Sequence, residues 1–182
     1  MLDFLKQVDR SWTLFLDRDG VINRRIVGGY VAKKEEFEFL PGVLSAIRCF
    51  SERFGKIVVV TNQQGVGKGI MDLTQLELVH EHMSLEITSF GGRIDGIYFS
   101  ADLATQPNNS RKPNIDMALQ AKADFHEIDF SRSIMVGDSK SDMEFGQNAG
   151  MKTIFVSSKS APGSVRFDMC VSGLAELEQL MI

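Results

Sequence analysis

Two acids at i and i+2, Asp17 and Asp19, carry the clearest chemical signal in the sequence. They follow the apolar run 14–16 and precede Gly20. Side chains alternate between the two faces of a strand, so a strand here places both acids on one side and directs Arg18 away. Like charges this close repel each other unless a cation or anionic substrate organises them. The pair therefore predicts a functional site that binds a cation or an anionic substrate. The alternative is a solvated Asp-rich turn.

Further polar residues follow the other apolar stretches that read as strands. The carboxyl ends of parallel strands lie at one edge of a sheet, where ligands bind in open α/β folds. We therefore expect groups that are far apart in the sequence to meet there. These groups are Asp17 and Asp19, Thr61 and Asn62, Arg111 and Lys112, and Asp138 and Asp142.

The residue types in this set indicate Mg²⁺ and a phosphate. Several carboxylates at one place need a hard cation, and oxygen ligands suit Mg²⁺. Zinc would require Cys or His ligands, but the three histidines lack partnered spacing, and we expect them at the surface or half-buried. Thr61 can donate to a phosphate oxygen, and Lys112 and Arg111 supply positive charge. The histidines are His80, His82 and His126.

This combination fits the transfer of a phosphoryl group to an aspartate. Asp17 would attack phosphorus and form an aspartyl-phosphate. Asp19 would protonate the leaving alkoxide and then take a proton from the hydrolytic water. Lys112, Thr61 and the metal would stabilise the charge on the phosphoryl oxygens.

The elements that must position these residues alternate between strands and helices. Apolar runs predict five strands, and helical spacing of apolar residues predicts the intervening helices. We therefore expect a single α/β domain over 1–182, with a doubly wound, mostly parallel, Rossmann-like sheet and no large cap domain. Residues 20–40 form a long irregular connection, which is typical of functional loops. The strands are predicted at 12–16, 57–60, 94–99, 133–136 and 153–156, and helices at 41–54, from 72 or 74 onward, 113–125, up to 148, and 174–181.

Composition limits the class of partner and the compartment. The net charge of −4 argues against a nucleic-acid surface. No apolar run reaches a membrane span, and the residues 1–6 do not resemble a signal peptide. Cys49 and Cys170 are expected to be buried free thiols in a reducing cytosol. We therefore expect a cytoplasmic protein that binds neither nucleic acid nor a membrane. We also expect a monomer, and the predicted site favours a small phosphorylated metabolite as its partner.

Four motifs resemble the signatures of the haloacid dehalogenase phosphatase superfamily. They are Asp17-Arg18-Asp19-Gly20, Thr61-Asn62, Arg111-Lys112-Pro113 and Gly137-Asp138 with Asp142. The segments 29–31, 37–42 and 61–66 more narrowly resemble the D-glycero-D-manno-heptose-1,7-bisphosphate phosphatases, whose sister group is the histidinol-phosphate phosphatases. The resemblance covers roughly residues 12–175.

The resemblance implies a role for each matching residue. Asp17 would be the nucleophile and Asp19 the acid/base, while Thr61 and Lys112 would stabilise the phosphoryl group. Asp17, the Asp19 carbonyl and Asp138 would hold Mg²⁺, and Asp142 would support them. The residues implied to read the substrate are Arg111, Asn62, Gln63, Gln64, Gly29 and Tyr30.

One loop departs from the family pattern. Many members bind zinc through Cys-x-His and Cys-x-Cys just before the Arg-Lys-Pro motif, and here the four positions are Ser100, Asp102, Asn108 and Ser110. Because every soft ligand is replaced, we predict no structural zinc. We expect turn hydrogen bonds or packing to hold the loop instead.

Alternative functions remain at this stage. A heptose bisphosphate is favoured over an amino-alcohol phosphate such as histidinol phosphate, because 29–31 and the glycine-rich rim 65–69 resemble the heptose enzymes more closely. A phosphoacceptor signalling domain would also place acids, a Thr or Ser and a Lys at the sheet edge, but it would keep the phosphate. The acid two residues after Asp17 argues against this class, because it speeds release of the alcohol and attack by water. A polynucleotide 3′-phosphatase would need an aromatic and basic groove that the sequence lacks. The glycines at 65–69 fit neither a dinucleotide-binding motif nor a P-loop.

Overall fold

The protein folds around one six-stranded sheet flanked by helices. The computed structural model describes residues 4–158 and 163–181. Its strands are β1 (Thr13–Leu16), β2 (Lys56–Asn62), β3 (Gly96–Ser100), β4 (Ser133–Gly137), β5 (Lys152–Val156) and β6 (Met169–Val171). Its helices are α1 (Val43–Arg53), α2 (Gln64–Gly67), α3 (Leu73–Ser89), α4 (Asp116–Asp124), α5 (Lys140–Ala149) and α6 (Leu174–Met181).

The sheet has the doubly wound order that the alternation of elements predicts. All five strand pairings are parallel, and the order is β3-β2-β1-β4-β5-β6. The central strand β1 lies between β2 and β4 and carries Asp17 directly after its last residue. The order reverses beside β1, which is where open α/β sheets form their ligand crevice. The predicted fold class is confirmed.

Two apolar layers hold the sheet in place. Leu14 and Leu16 pack in one layer with α1, α3 and α6, while Phe15 packs on the other face with α4 and α5. This is why the central strands are apolar without a break, since a parallel sheet is covered on both faces. The result is a rigid platform under the loops at its carboxyl edge.

The elements differ from the sequence prediction in the start of α4, in the end of β2 and in two short elements that were not predicted. α4 begins at Asp116, so Pro113 does not open it; instead the Asn114 amide donates to the Arg111 carbonyl at 2.8 Å and closes a turn. The short elements α2 and β6 were not predicted, because four and three residues are too few to show a period. Thr61 and Asn62 lie within β2 rather than after it.

Two expectations about burial are wrong. Cys49 is half-buried and Cys170 is exposed on the edge strand β6, so neither thiol belongs to the core. His80 is buried, at 7% exposure, because the inner face of α3 brings it against Arg18. His82 is half-buried and His126 is exposed, as expected.

Within residues 4–158 and 163–181, no helix has both the length and the apolar character needed to cross a bilayer. The same part of the chain forms no large cap over the carboxyl edge of the sheet. The signal-peptide expectation concerns residues 1–6, of which 1–3 lie outside the described residues.

Candidate active site

Nine of the twelve predicted site residues line a cavity of about 510 Å³ at the carboxyl edge of the sheet, and Gln63, Gln64 and Asp138 do not. The expected convergence of the strand ends is therefore present. The Asp17 amide donates to the Val136 carbonyl at 2.9 Å, which ties the start of the site to β4. The predicted residues that line the cavity are Asp17, Asp19, Gly29, Tyr30, Thr61, Asn62, Arg111, Lys112 and Asp142.

Three carboxylates form a compact oxygen cluster beside this cavity. Asp17, Asp138 and Asp142 each offer one oxygen, and these oxygens lie within 4.8 Å of one another. Asp17 and Asp142 are buried, at 5% and 1% exposure. A hard divalent cation suits such a set, because only oxygen donors are offered and the negative charges need neutralising.

Gly20 makes room for this cluster. Its φ of +96° lies in the region that favours glycine, and a Cβ added there would lie 2.0 Å from Asp138 Oδ2. Any other residue would displace the carboxylate. A glycine is therefore required at position 20, because the loop after β4 brings Asp138 against its backbone.

Lys112 lies at the centre of the site although it comes from a loop after β3. Its Nζ is 2.7 Å from Asp17 Oδ1 and 2.6 Å from Asp142 Oδ1, and it donates to the Val60 carbonyl at 2.7 Å. Burial lowers the pKa of Lys112, but Asp142 and Asp17 outweigh it and leave the pKa above its ordinary value. The side chain is therefore a fixed positive charge.

Both carboxylate oxygens of Asp142 have partners, one in Lys112 and the other in the N-terminal cap of α5. Its Oδ2 accepts from the Ser139 amide at 2.9 Å and from the Ser139 hydroxyl at 2.6 Å, in a capping box that begins α5. Its other oxygen binds Lys112. Asp142 therefore orients the lysine, and the cap orients Asp142.

Burial controls the acidity of the two remaining carboxylates of the cluster. It raises the pKa of Asp17 to about 7, with Asp142 and Asp138 adding to the rise and Lys112 opposing it. It raises the pKa of Asp138 to about 6, with Arg25 opposing the rise. Both carboxyls therefore gain from a neighbouring cation, because a cation favours their ionised form.

Asp19 is held by a separate, buried shell. Arg18 Nη2 donates to both of its oxygens at 3.0 and 2.9 Å, Asn23 Nδ2 donates to Oδ1 at 2.9 Å, and Gln63 Nε2 donates to Oδ2 at 2.8 Å. Burial raises the pKa of Asp19, but Arg18 and the amides of Asn23 and Gln63 outweigh it. The pKa therefore lies below its ordinary value.

The prediction that Arg18 points away from both acids is wrong for Asp19. Strand β1 ends at Leu16, and the chain then turns so that the amides of residues 21–23 donate to the Arg18 carbonyl. Strand alternation does not extend through this turn. Arg18 instead lies fully buried between Asp19 and His80 Nε2, which is 3.1 Å from its Nη1.

The residues that donate to Asp19 leave some of their own buried polar atoms without a hydrogen-bond partner. In the described part of the chain, the buried side-chain nitrogens and oxygens without a hydrogen-bond partner are Arg18 Nε, Asn23 Oδ1 and Gln63 Oε1. All three belong to residues that donate to Asp19. An unpaired buried polar atom lowers the free energy of unfolding. These three residues therefore hold the Asp19 carboxylate at the expense of the stability of the fold.

The last two residues of β2 and the two residues that follow it make different contacts. Thr61 faces the cavity and accepts from Gln63 Nε2 at 2.9 Å. Asn62 clasps the Lys112 backbone, accepting from its amide at 3.0 Å and donating to its carbonyl at 3.3 Å. Gln63 is committed to Asp19 and Thr61, and neither it nor Gln64 lines the cavity.

The loop 100–110 is held by hydrogen bonds among the positions that correspond to zinc ligands in the family. Asp102 Oδ2 accepts from the Ser110 amide and hydroxyl, each at 2.7 Å, and that hydroxyl lies 2.8 Å from Ser100 Oγ. The Asp102 carbonyl accepts from Arg111 Nη1 at 3.2 Å. Asn108 takes a left-handed conformation, with φ 55°. The loop thereby fixes Arg111 at the cavity.

Several cavity residues were not found from the sequence. Lys68 lines the cavity and donates to the Tyr30 hydroxyl at 3.2 Å. Arg25 also lines it and forms an ion pair with Asp138. The remaining unpredicted polar lining comes from Ser139 and Ser141. The signals available in the sequence were the Arg24-Arg25 pair in 20–40 and the single lysine in 65–69.

The chain is similar to a family model, to named bacterial proteins and to a solved structure. Residues 109–174 match the HAD-hydrolase-like family model. D-glycero-alpha-D-manno-heptose-1,7-bisphosphate 7-phosphatase of Mycobacterium tuberculosis is 40% identical over 143 residues, covering 79% of this chain and 75% of that protein. D-glycero-beta-D-manno-heptose-1,7-bisphosphate 7-phosphatase of Escherichia coli is 34% identical, covering 91% of each. D,D-heptose 1,7-bisphosphate phosphatase of B. bronchiseptica, solved with magnesium and phosphate, has a TM-score of 0.79 at 26% identity, covering 92% of this chain and 96% of that one.

Proposed function

Because this chain is a phosphatase of the haloacid dehalogenase-like hydrolases and belongs to the heptose-1,7-bisphosphate 7-phosphatase family, we propose that it hydrolyses the 7-phosphate of D-glycero-D-manno-heptose 1,7-bisphosphate. The observation that carries the proposal is the buried Asp17 carboxylate, which lies against Lys112 and beside Asp138 in a cavity open to a small substrate. The names of the similar proteins support the choice of sugar and give no support to histidinol phosphate.

The residues present fit a magnesium ion. Asp17, Asp138 and the Asp19 carbonyl would hold it, with Asp142 in support, since the donors are all oxygens of the kind that Mg²⁺ prefers. When bound, it would neutralise the carboxylates and the phosphate charge. Every other part of the reaction falls to this chain's own side chains.

Asp17 acts as the nucleophile. One of its oxygens binds Lys112 Nζ, which leaves the second free to attack phosphorus. The new O–P bond forms as the bond from phosphorus to the sugar oxygen breaks, which gives an aspartyl-phosphate. Water then attacks that phosphorus, and Asp17 leaves as a carboxylate with inorganic phosphate as the product.

Asp19 handles the proton in both steps. It donates to the departing sugar oxygen and later accepts from the attacking water. The lowered pKa of Asp19 suits the second step, in which it is a base. For the first step it must gain a proton, and an anionic substrate beside it raises its pKa in the required direction.

Lys112 and Thr61 stabilise the transferring group. Lys112 is rigid, because Asp142, Asp17 and the Val60 carbonyl fix its ammonium from three sides. Groups fixed in this way do not have to reorganise as charge develops on the phosphoryl oxygens. Thr61 offers its hydroxyl from the end of β2.

Arg111 and other residues that line the cavity would contact the rest of the substrate. Arg111 is held at the cavity by the Asp102 carbonyl, and Tyr30, Gly29 and Lys68 line the same cavity. This places cationic and hydroxyl groups around a cavity suited to a phosphorylated sugar. Asn62 also lines the cavity while it holds the Lys112 backbone, and Gln63 holds Asp19 and Thr61.

The test is the rate of phosphate release from a panel of substrates with and without Mg²⁺. We expect the highest kcat/KM for an anomer of heptose 1,7-bisphosphate and loss of turnover with chelator. The Asp17→Asn variant is the matched control for contaminating phosphatases. A preference for histidinol phosphate or for a 3′-phosphorylated oligonucleotide would contradict the proposal.

A further inference from the structure

Arg25 makes a contact that the reaction as described does not use. Its Nη2 lies 2.7 Å from Asp138 Oδ1 and donates to the Asp19 carbonyl at 3.1 Å. One guanidinium nitrogen therefore bridges a carboxylate and a carbonyl that come from different strand ends. Arg25 is half exposed, at 48% of its side chain, and Asp138 is 18% exposed.

The contact is specific to Arg25 and does not follow from a basic loop alone. The preceding residue, Arg24, forms an ion pair with Glu38 in which both side chains are more than 60% exposed. Arg24 does not line the cavity, whereas Arg25 does. The two neighbours therefore provide a test residue and a matched control.

Arg25 binds two of the oxygen donors that a divalent cation would need. An oxygen bound directly to Mg²⁺ has a cation at about 2.1 Å, and a guanidinium beside it would be repelled by that charge. The two cations therefore compete for Asp138 and the Asp19 carbonyl. A metal bound to these donors would therefore displace Arg25.

The released side chain remains at the cavity. Arg25 lies on its lining together with Lys68, Arg111 and Lys112, so four cationic residues surround the same space. A bisphosphate keeps one phosphate when the other is cleaved, and a guanidinium fork matches phosphate oxygens. A monophosphate of the same sugar has no second phosphate for the Arg25 guanidinium to bind.

We propose that Arg25 occupies the metal ligands until a divalent cation displaces it, and then binds the phosphate that the substrate retains. The second half of this statement rests on the proposed function, and the first half does not. Arg25 thus couples metal binding to the choice of a bisphosphate over a monophosphate.

The first experiment measures Mg²⁺ binding to the substrate-free protein by calorimetry. Removing the competitor in Arg25→Ala should tighten Mg²⁺ binding by about fivefold, which is the scale of a partly exposed ion pair. Arg24→Ala should leave the affinity unchanged, and Arg25→Lys, which keeps the charge, should give a smaller gain. Unchanged Mg²⁺ affinity in Arg25→Ala would overturn the proposal.

The second experiment compares heptose 1,7-bisphosphate with heptose 7-phosphate. In Arg25→Ala, kcat/KM for the bisphosphate should fall at least about tenfold relative to the monophosphate, as expected for a lost charge-assisted contact. An unchanged ratio would refute the role in substrate choice. If the wild-type protein hydrolyses neither compound, the proposed function fails, while the Mg²⁺ titration still decides whether Arg25 competes.

Discussion

Replacing His80 with glutamine should change how stability depends on pH. His80 is buried, and its Nε2 must accept from Arg18 Nη1, because a guanidinium only donates. Burial, followed by the charge of Arg18, lowers the pKa of His80 to about 3. Glutamine can accept the same hydrogen bond through its side-chain oxygen but does not titrate.

The size of the effect follows from proton linkage. In the unfolded chain His80 takes up a proton below its ordinary pKa of about 6.5, whereas in the folded protein it does not do so until about pH 3. Stability is therefore lost as the pH falls through this window, by about 1.4 kcal/mol per unit. Between pH 6.5 and 5 His80 should account for a loss of about 2 kcal/mol.

The assay is urea unfolding of wild type, His80→Gln and the exposed control His126→Gln at a series of pH values from 8 to 5. Asp17 and Asp138 have raised folded-state pKa values, so the folded form gains protons first and their contribution rises as pH falls. That opposing contribution is shared by all three proteins and cancels in the difference. If the unfolding free energies of wild type and His80→Gln ran parallel with pH, the assignment of a neutral His80 would be refuted.

Three further substitutions test separate parts of the site. Asp19→Asn should lower kcat by about 10²–10⁴, the range for losing a general acid/base, and leave the fold intact; an unchanged kcat would remove Asp19 from proton transfer. Gly20→Ala should destabilise the protein by roughly 1–3 kcal/mol and weaken Mg²⁺ binding, because its Cβ collides with Asp138, and unfolding plus calorimetry would check both. Asp102→Ala should raise KM about fivefold with little change in kcat, because loop 100–110 would no longer hold Arg111, and a fall in kcat with KM unchanged would contradict this.

The fold and the meeting of the strand ends could be predicted from the sequence. A parallel sheet forces the carboxyl ends of β1, β2 and β4 to one edge, so Asp17, Thr61 and Asp138 had to converge once the strands were placed. The sequence allowed two capping pairs at the start of α3, Asp72 with Gln75 or Thr74 with Glu77, and the structure uses the first. Such features depend on local pattern and on topology alone.

The remaining features depend on tertiary contacts that no local pattern encodes. The orientation of Arg18 was missed because it is set by a turn and by His80, 62 residues away. Arg25 was missed because its partner Asp138 lies 113 residues away. Pro113 was placed in a helix because proline suits a first turn, whereas here it belongs to the turn that presents Lys112.

The central claim is that the Asp17 carboxylate accepts the phosphoryl group. The most direct measurement is mass spectrometry of peptides from acid-quenched turnover, using the Asp19→Asn variant to slow hydrolysis of the intermediate. The account predicts the mass of one added phosphoryl group on the peptide that contains Asp17, and its loss in Asp17→Asn. An adduct on another residue, or steady turnover by Asp17→Asn, would contradict it.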